Sequence, residues 1–172
     1  TRLQNAGNAL YQTTVTPEGL NGFWSAAYSN ILQDANTLIA LSDELGYARH
    51  AGIARVIQAY TIVTMVDFFG DVPFSEAFQG AANFNPAVDQ QSDLYDQAIA
   101  ILDKAKLDLS TATTTTAPPG YLNPVFPDIT DLYYGHSGAG IYTKWIRLAN
   151  TLKLKIYLNL RLTDQARAQT EI

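Results

Sequence analysis

One short segment of the sequence approaches a catalytic motif: residues 135–139 read Gly-His-Ser-Gly-Ala. A Gly-x-Ser-x-Gly turn can present a nucleophilic serine, although here Ala139 stands at the last glycine position. Such a serine needs an acid and then a histidine later in the chain, and after Ser137 the sequence offers Asp164 and Glu171 but no histidine. The segment is therefore interpreted as a glycine-rich turn, with a serine hydrolase kept as an alternative.

The residue types do not indicate a metal site or a nucleotide site. The sequence has no cysteine and only two histidines, His50 and His136, which excludes thiolate metal sites and disulfides and leaves no zinc motif. Calcium held by Asp71, Asp128 or Asp131 is an alternative, but no Asp-x-Asp-x-Asp-Gly loop supports it. Neither glycine-rich phosphate-binding motif occurs. We therefore expect no metal and no cofactor.

The aromatic residues are the remaining source of binding chemistry: ten Tyr, seven Phe and two Trp. Flat rings close to amide and carboxylate side chains hold sugars by stacking and hydrogen bonding, but they also build cores. Trp24 and Tyr28 lie on a predicted buried stripe and are interpreted as core. Tyr11, in a segment without periodicity, and Phe23, off that stripe, are freer to face a ligand.

Composition limits the classes of protein and partner. The 172 residues are 47% apolar and 16% charged, which indicates one folded domain or a part of a larger protein. The net charge of −5 gives no basic surface for nucleic acid, so no nucleic acid partner is expected. Charged residues recur along the chain, so the sequence predicts no segment with the roughly 20 apolar residues of a membrane-spanning helix.

Helical periodicity dominates the elements that must position these residues. A first helix is predicted at 22–41 after a helical stub and loop in residues 1–20, and a second ends at Gly70 and forms an αα-hairpin with it. The predicted buried stripes are Trp24, Tyr28, Ile31, Ala35 and Leu38 in the first helix and Ile53, Ile57, Tyr60 and Thr64 in the second.

The second half of the chain is predicted to be helical on both sides of a connector. After an irregular stretch to about Asp89, a third helix carries Leu94, Ala98, Ile101, Ala105 and Asp108 on one face. Residues 110–140 are predicted to be an irregular connector, with O-glycosylation of its threonine run as an alternative. Residues 141–163 fit strand or helix by pattern, and their composition favours a helix that is locally basic. Its cations are expected to pair with acidic helices, with an anion site as the alternative.

Three blocks of residues carry a longer pattern. The first is Trp-x3-Tyr-x2-Ile-x3-Ala-Asn-x-Leu at 24–38. The second runs from Ala-Arg at 54–55 to Phe-Gly-Asp-Val-Pro-Phe at 69–74. The third joins Asp-Leu-Tyr-Tyr-Gly at 131–135 to Lys-Trp-Ile-Arg-Leu-Ala-Asn-Thr-Leu-Lys-Leu-Lys at 144–155. The three blocks and their order resemble those of the SusD/RagB-like outer-membrane lipoproteins of Bacteroidetes-type bacteria. The resemblance covers residues 22–163.

That resemblance implies an all-α fold of tetratricopeptide-like helical hairpins with long irregular loops, and therefore a helix at 141–163. Members of the family are considerably longer and begin with a lipidated cysteine. Residues 1–172 are accordingly expected to form a single helical domain from the N-terminal portion of a longer chain, with 110–140 as a connector within it. The lipid anchor is expected outside this sequence.

The same resemblance implies a function. The protein would be a surface-exposed lipoprotein of the cell outer membrane that captures an oligosaccharide or a peptide. It would work with a SusC-like TonB-dependent transporter in nutrient uptake, and it would not be an enzyme. The family has no fixed sugar-binding motif to transfer. Its ligand contacts include aromatic residues near the start of the first-block helix, which points to Tyr11, Phe23 and Trp24. The alternative is a tetratricopeptide-like protein-interaction scaffold that binds no small ligand, although no 34-residue repeat is found.

Overall fold

The structure is a computed structural model that describes residues 17–111, 133–134 and 140–171. After a 3₁₀ turn at Pro17–Leu20 the helices are α1 (Asn21–Ser25), a π-helix (Ala26–Leu32), α2 (Gln33–Leu45), α3 (Ala48–Phe69), α4 (Gln91–Ser110), α5 (Gly140–Leu160) and α6 (Gln165–Glu171). A loop containing the 3₁₀ turn Gly80–Ala82 joins α3 to α4. Within the described ranges the chain forms no β-strand, only an isolated bridge between Val72 and Asp89. The prediction of an all-α fold is confirmed.

The first three helical segments, from α1 through the π-helix to α2, follow one another without a break. A π-helical hydrogen bond spans five residues instead of four, so it rotates later side chains away from a 3.6-residue pattern. Leu32 and Ala35 are consequently buried, whereas Ile31 and Leu38 are exposed. The predicted stripe is therefore wrong at Ile31 and Leu38.

Successive long helices run antiparallel. The left-handed Gly46 (φ 75°) ends α2, and the chain turns directly into α3, with the Tyr47 N–H donating to the Ser42 carbonyl (2.7 Å). Contacts at the helix ends show the same for the next pairs. Tyr95, near the start of α4, binds Asp67 late in α3, and Asn159, near the end of α5, binds the same Asp67 carboxylate. The predicted hairpin is confirmed.

Gly52 allows α3 and α4 to approach each other closely. A Cβ added to Gly52 would lie 2.8 Å from Leu109 Cγ and 3.1 Å from the Ala105 carbonyl oxygen. This approach buries the side of α3 that carries Val56, Ala59, Ile62, Val63 and Val66. The stripe predicted from the larger residues of α3 is wrong at Ile57 and Tyr60, which are exposed, whereas Ile53 packs against the core.

The length and composition of α3 would suffice to cross a membrane, which corrects the expectation that no segment reaches this apolarity. Sixty-one per cent of its most apolar 18-residue window is buried inside the molecule. It also carries the buried polar residues Arg55, Gln58 and Thr61. These features are those of the central helix of a packed helical core.

The basic helix α5 is paired with acidic residues on its neighbours. The Lys153 ammonium donates to both carboxylate oxygens of Asp103 (2.8 and 2.9 Å). The Lys155 ammonium donates to Asp67 (2.6 Å). The predicted pairing with acidic helices is therefore confirmed for Lys153 and Lys155. These ion pairs link α5 to α4 and α3.

Candidate functional site

An open groove of about 620 Å³ lies between the first helical segments and the loop that follows α3. Its helical side is lined by Trp24, Ser25, Tyr28, Ser29 and Gln33. Its loop side is lined by Pro73, Ala77, Phe78, Gly80, Asn83, Phe84 and Pro86. Aromatic rings and neutral hydrogen-bonding side chains therefore meet in one concave surface, which is the usual composition of a small-ligand site.

Three aromatic rings form a stack along one side of this groove. The rings of Trp24 and Tyr28, one helical turn apart, are 5.2 Å between centroids and 5° from parallel. Tyr28 in turn stacks on Phe78 (5.9 Å, 22°), and Trp24 also contacts Phe69 (4.9 Å). Because each ring restrains the next, the aromatic surface is held in place before any ligand arrives.

The Tyr28 hydroxyl joins the helix to the loop. It donates a hydrogen bond to the Pro73 carbonyl (2.7 Å). Burial, together with the negative charge of Asp89, raises the pKa of Tyr28 to about 12. The phenol therefore stays protonated at physiological pH and keeps donating to the loop.

Asp89 closes the loop on itself. Its carboxylate accepts hydrogen bonds from the backbone N–H groups of Phe74 (2.7 Å) and Ser75 (2.8 Å) and from the Ser75 hydroxyl (2.5 Å). Its own N–H donates to the Val72 carbonyl (3.2 Å). Partial burial by itself would raise the pKa of Asp89, but the hydrogen bonds from Ser75 and Phe74 outweigh it and lower that pKa from its ordinary value. The carboxylate is therefore ionised when the loop is closed.

We expect Asp89→Ala to loosen this loop locally. Hydrogen bonds to a charged group contribute about 1.5–3 kcal/mol each when buried and less at a partly exposed site such as this one. Amide hydrogen exchange in residues 73–88 should become faster while the rest of α3 stays protected. In the unchanged protein the loop should loosen only in acid, because stability is lost as the pH falls through the lowered pKa of Asp89 and the carboxylate becomes protonated. The exposed Asp34→Asn is the matched control, and unchanged exchange in the Asp89 variant would contradict this prediction.

Two phenylalanines of the loop face the groove in different ways. Phe78 is half-buried and has φ 65°, a left-handed conformation that is costly for a residue with a large side chain. This conformation brings its ring onto Tyr28. Phe84 is 87% exposed, so its ring is available for contact.

The structure places the predicted site residues differently from one another. Trp24 lines the groove and is half-buried, so its position is compatible with both the core role and the ligand role that the sequence suggested. Phe23 lies outside the groove, 39% exposed, where its ring contacts Phe68 (5.5 Å) and Phe69 (5.8 Å). Tyr11 lies outside the described residues.

Sequence reasoning missed the loop side of the groove. Its signal was present in Phe78, Asn83 and Phe84, which combine aromatic rings and an amide in a segment without helical periodicity. Tyr28, interpreted as core, is half-buried: it packs against the core and also lines the groove.

The other candidates give no site in the described part of the chain. Ser137, Asp128 and Asp131 lie outside it, and the Asp71 carboxylate accepts a hydrogen bond from the Gln91 N–H (2.8 Å) at the start of α4. No group of three or more His, Asp or Glu side chains that could hold a metal ion is found among the described residues. His50 lies at the start of α3 against the Tyr47 ring (5.6 Å), and desolvation lowers its pKa, which favours the neutral imidazole.

A second cavity, of about 510 Å³, lies where the ends of α3 and α5 meet. Its polar centre is the Asp67 carboxylate, which accepts hydrogen bonds from the Tyr95 hydroxyl (2.7 Å), Lys155 (2.6 Å) and the Asn159 amide (3.0 Å). Burial and the bond to Asp67 raise the pKa of Tyr95 to about 12. Because these groups satisfy one another, the cluster has a structural role in joining three helices.

A family model described as starch-binding and associating with the outer membrane matches residues 1–172. The chain belongs to the SusD-like family. Its tetratricopeptide-like helical fold is shared with solved structures of SusD homologues. A SusD/RagB family protein from Bacteroides thetaiotaomicron is 28% identical with a TM-score of 0.65. A chitin-binding SusD homologue from Flavobacterium johnsoniae is 24% identical with a TM-score of 0.71.

These SusD-like structures match most of the chain but only part of their own. The Bacteroides thetaiotaomicron match covers 83% of this chain and 27% of the solved one, and the Flavobacterium johnsoniae match covers 91% and 30%. A SusD homologue from Bacteroides uniformis, 20% identical with a TM-score of 0.60, covers 82% and 26%. The 172 residues thus span less than a third of the length of these relatives. A search among curated proteins gives no match.

Proposed function

We propose that this SusD-like chain captures a glycan, and that the groove between the first helical segments and the loop after α3 contributes to its site. The observation that carries the proposal is the meeting of Trp24, Tyr28, Phe78 and Phe84 with neutral polar side chains in one groove. The family description names starch binding, and two similar solved structures are of chitin-binding proteins. Protein interaction without a small ligand remains the alternative.

The groove offers the two interactions that a sugar requires. The exposed ring of Phe84 and the edge of Trp24 present apolar surface to the C–H face of a sugar ring. Gln33, Asn83 and Ser29 can donate to and accept from hydroxyl groups. A hydroxyl-rich ligand loses its water on entering such a groove, so these polar groups must replace the hydrogen bonds that it made.

The wider function follows from the family. We propose that the protein is lipid-anchored and surface-exposed at the outer membrane, where it delivers an oligosaccharide or a peptide to a TonB-dependent transporter. Residues 1–172 would form one helical domain within a protein of the length of its relatives. Binding rather than catalysis is the role named in the family description, and we propose that the protein is not an enzyme.

The sharpest test removes one exposed ring. We expect Phe84→Ala to weaken binding of N-acetylchitohexaose or maltohexaose at least tenfold, because an aromatic residue at the centre of a contact is worth more than about 1.4 kcal/mol. Folding should be unaffected, since the ring is 87% exposed. Isothermal titration calorimetry gives the affinity, and circular dichroism checks the fold.

The chain provides a matched control in Phe68→Ala. That ring is 72% exposed but does not line the groove, so its removal should leave the affinity unchanged. Equal losses in both variants would contradict a site in the groove. If no oligosaccharide or peptide binds and no TonB-dependent transporter copurifies with the full-length protein, the proposed capture function is wrong. The result would then favour the alternative, a protein-interaction scaffold without a small ligand.

A further inference from the structure

The elements that build the groove contain no basic residue. Residues 21–45 and residues 71–89 include no Lys, Arg or His, in a chain that has eleven Lys and Arg in total. The same two segments carry six acidic residues: Asp34, Asp43, Glu44, Asp71, Glu76 and Asp89. No cation from these segments can therefore neutralise a negatively charged ligand.

The surface of the groove is itself uncharged. All twelve described residues that line it are aromatic, aliphatic, hydroxyl or amide residues, or glycine and proline. The hydrogen-bonding groups among them are side chains such as Ser25, Ser29, Gln33 and Asn83. Such groups recognise hydroxyls and amides, and they supply no counter-charge for a carboxylate or a sulfate.

Fixed negative charge lies directly behind the loop side of the groove. The Glu76 carboxylate accepts hydrogen bonds from the Ala87 N–H (3.1 Å) and from the amide of the lining residue Asn83 (3.4 Å). The Asp89 carboxylate holds the N–H groups of Phe74 and Ser75. Both carboxylates hold parts of the loop together, so their hydrogen bonds restrain them on the loop side of the groove.

Basic residues on the packed helices are engaged in ion pairs with other helices. Arg55 pairs with Asp108 and Asp43, Lys153 with Asp103 and Lys155 with Asp67. These pairs join α2, α3, α4 and α5 and are therefore part of the packing of the helices. Releasing one of them to bind an anion would break an ion pair that joins two helices.

We infer that this groove selects uncharged glycans and rejects glycans that carry carboxylate or sulfate groups. The inference rests on the proposed function and adds the substrate class to it. An anionic sugar would lose hydration on entry without gaining an ion pair, and it would also be repelled by Glu76 and Asp89. Neutral polar groups and rings, by contrast, match an uncharged hydroxylated chain.

A matched pair of probes tests this selectivity. The full-length protein is titrated calorimetrically with N-acetylchitohexaose and maltohexaose, and with the 6-O-sulfated form of each. At low salt the sulfated form should bind at least tenfold more weakly than its parent. The difference should shrink as sodium chloride is added, because salt screens repulsion between charges but not a steric clash.

Two substitutions locate the effect. Glu76→Gln should narrow the difference between each pair of probes, while Glu44→Gln, an exposed acid outside the groove, should not change it. Gln33→Lys, which introduces a cation into the lining, should strengthen binding of the sulfated probe. Equal or tighter binding of the sulfated form by the unchanged protein would overturn the inference while leaving glycan capture intact. Failure of both uncharged probes to bind would instead overturn the proposed function, and the inference with it.

Discussion

Arg55→Met is expected to lower the free energy of unfolding by about 3–5 kcal/mol, the usual cost of leaving a buried charge without its partner. The Arg55 guanidinium lies between two helices, where it binds the carboxylate of Asp108 on α4 and that of Asp43 on α2. Asp108 is only 4% exposed. Lys104, one turn earlier on α4, reaches the other oxygen of Asp108 (2.5 Å) but is itself largely exposed. It cannot replace the guanidinium.

Chemical denaturation followed by circular dichroism measures this loss. Arg147→Met is the matched control, because Arg147 is exposed on α5, and it should cost less than about 0.5 kcal/mol. The double variant Arg55→Met with Asp108→Leu should be more stable than the sum of the single losses, since no buried charge is then left alone. A loss below about 1 kcal/mol for Arg55→Met would show that water reaches Asp108 and that this pair does not hold the helices together.

The positions of the helices were predictable from sequence because their limits are set by local chemistry. Gly70 and Pro73 end α3, as the Phe-Gly-Asp-Val-Pro sequence predicts, and acidic residues open the next helix. The fourth predicted helix, at 141–163, corresponds to α5 at Gly140–Leu160. Its period-2 pattern of leucines agreed equally with a strand, and the composition and the family resemblance decided correctly for helix.

The faces that these helices bury were harder to predict because they depend on the neighbouring helix. In α3 the large residues Ile57 and Tyr60 suggest one buried face from the sequence. The helix is instead buried on another side, where Gly52 lets α4 approach closely. In the first helix the π-helical turn shifts the buried face from Ile31 to Leu32. Both errors come from tertiary and local geometry that a fixed 3.6-residue period does not contain.

Of the residues that line the candidate groove, only Trp24 was among the predicted site residues. Trp24 was a ligand candidate only through the family resemblance, because the helical pattern by itself placed it in the core. Phe78 and Phe84 were not identified, because their position depends on a loop closed by Asp89 and on a left-handed backbone at Phe78. Such a closure joins residues about fifteen positions apart through side-chain to backbone bonds, which leave no periodic signal.

Trp145→Ala is expected to cost about 3–5 kcal/mol of unfolding free energy, because the indole is only 4% exposed and the removed volume leaves a cavity that the helices cannot fill. The indole lies on the buried face of α5, in edge-on contact with the Tyr134 ring (5.3 Å) and close to that of Tyr133 (6.0 Å). Trp145→Phe should recover part of the loss, since a smaller ring still fills some of the space.

Trp24→Ala is the informative comparison for Trp145→Ala, because these are the two tryptophans of the chain and they differ in burial. Trp24 is half-buried at the groove, so its removal should cost clearly less stability than removal of Trp145 while weakening glycan binding at least tenfold. Denaturation monitored by circular dichroism avoids the loss of the fluorescent reporter. A stability loss below about 1 kcal/mol at position 145 would mean that α5 does not pack on the core through this ring. A loss at position 24 as large as that at position 145, with binding retained, would return Trp24 to a purely structural role.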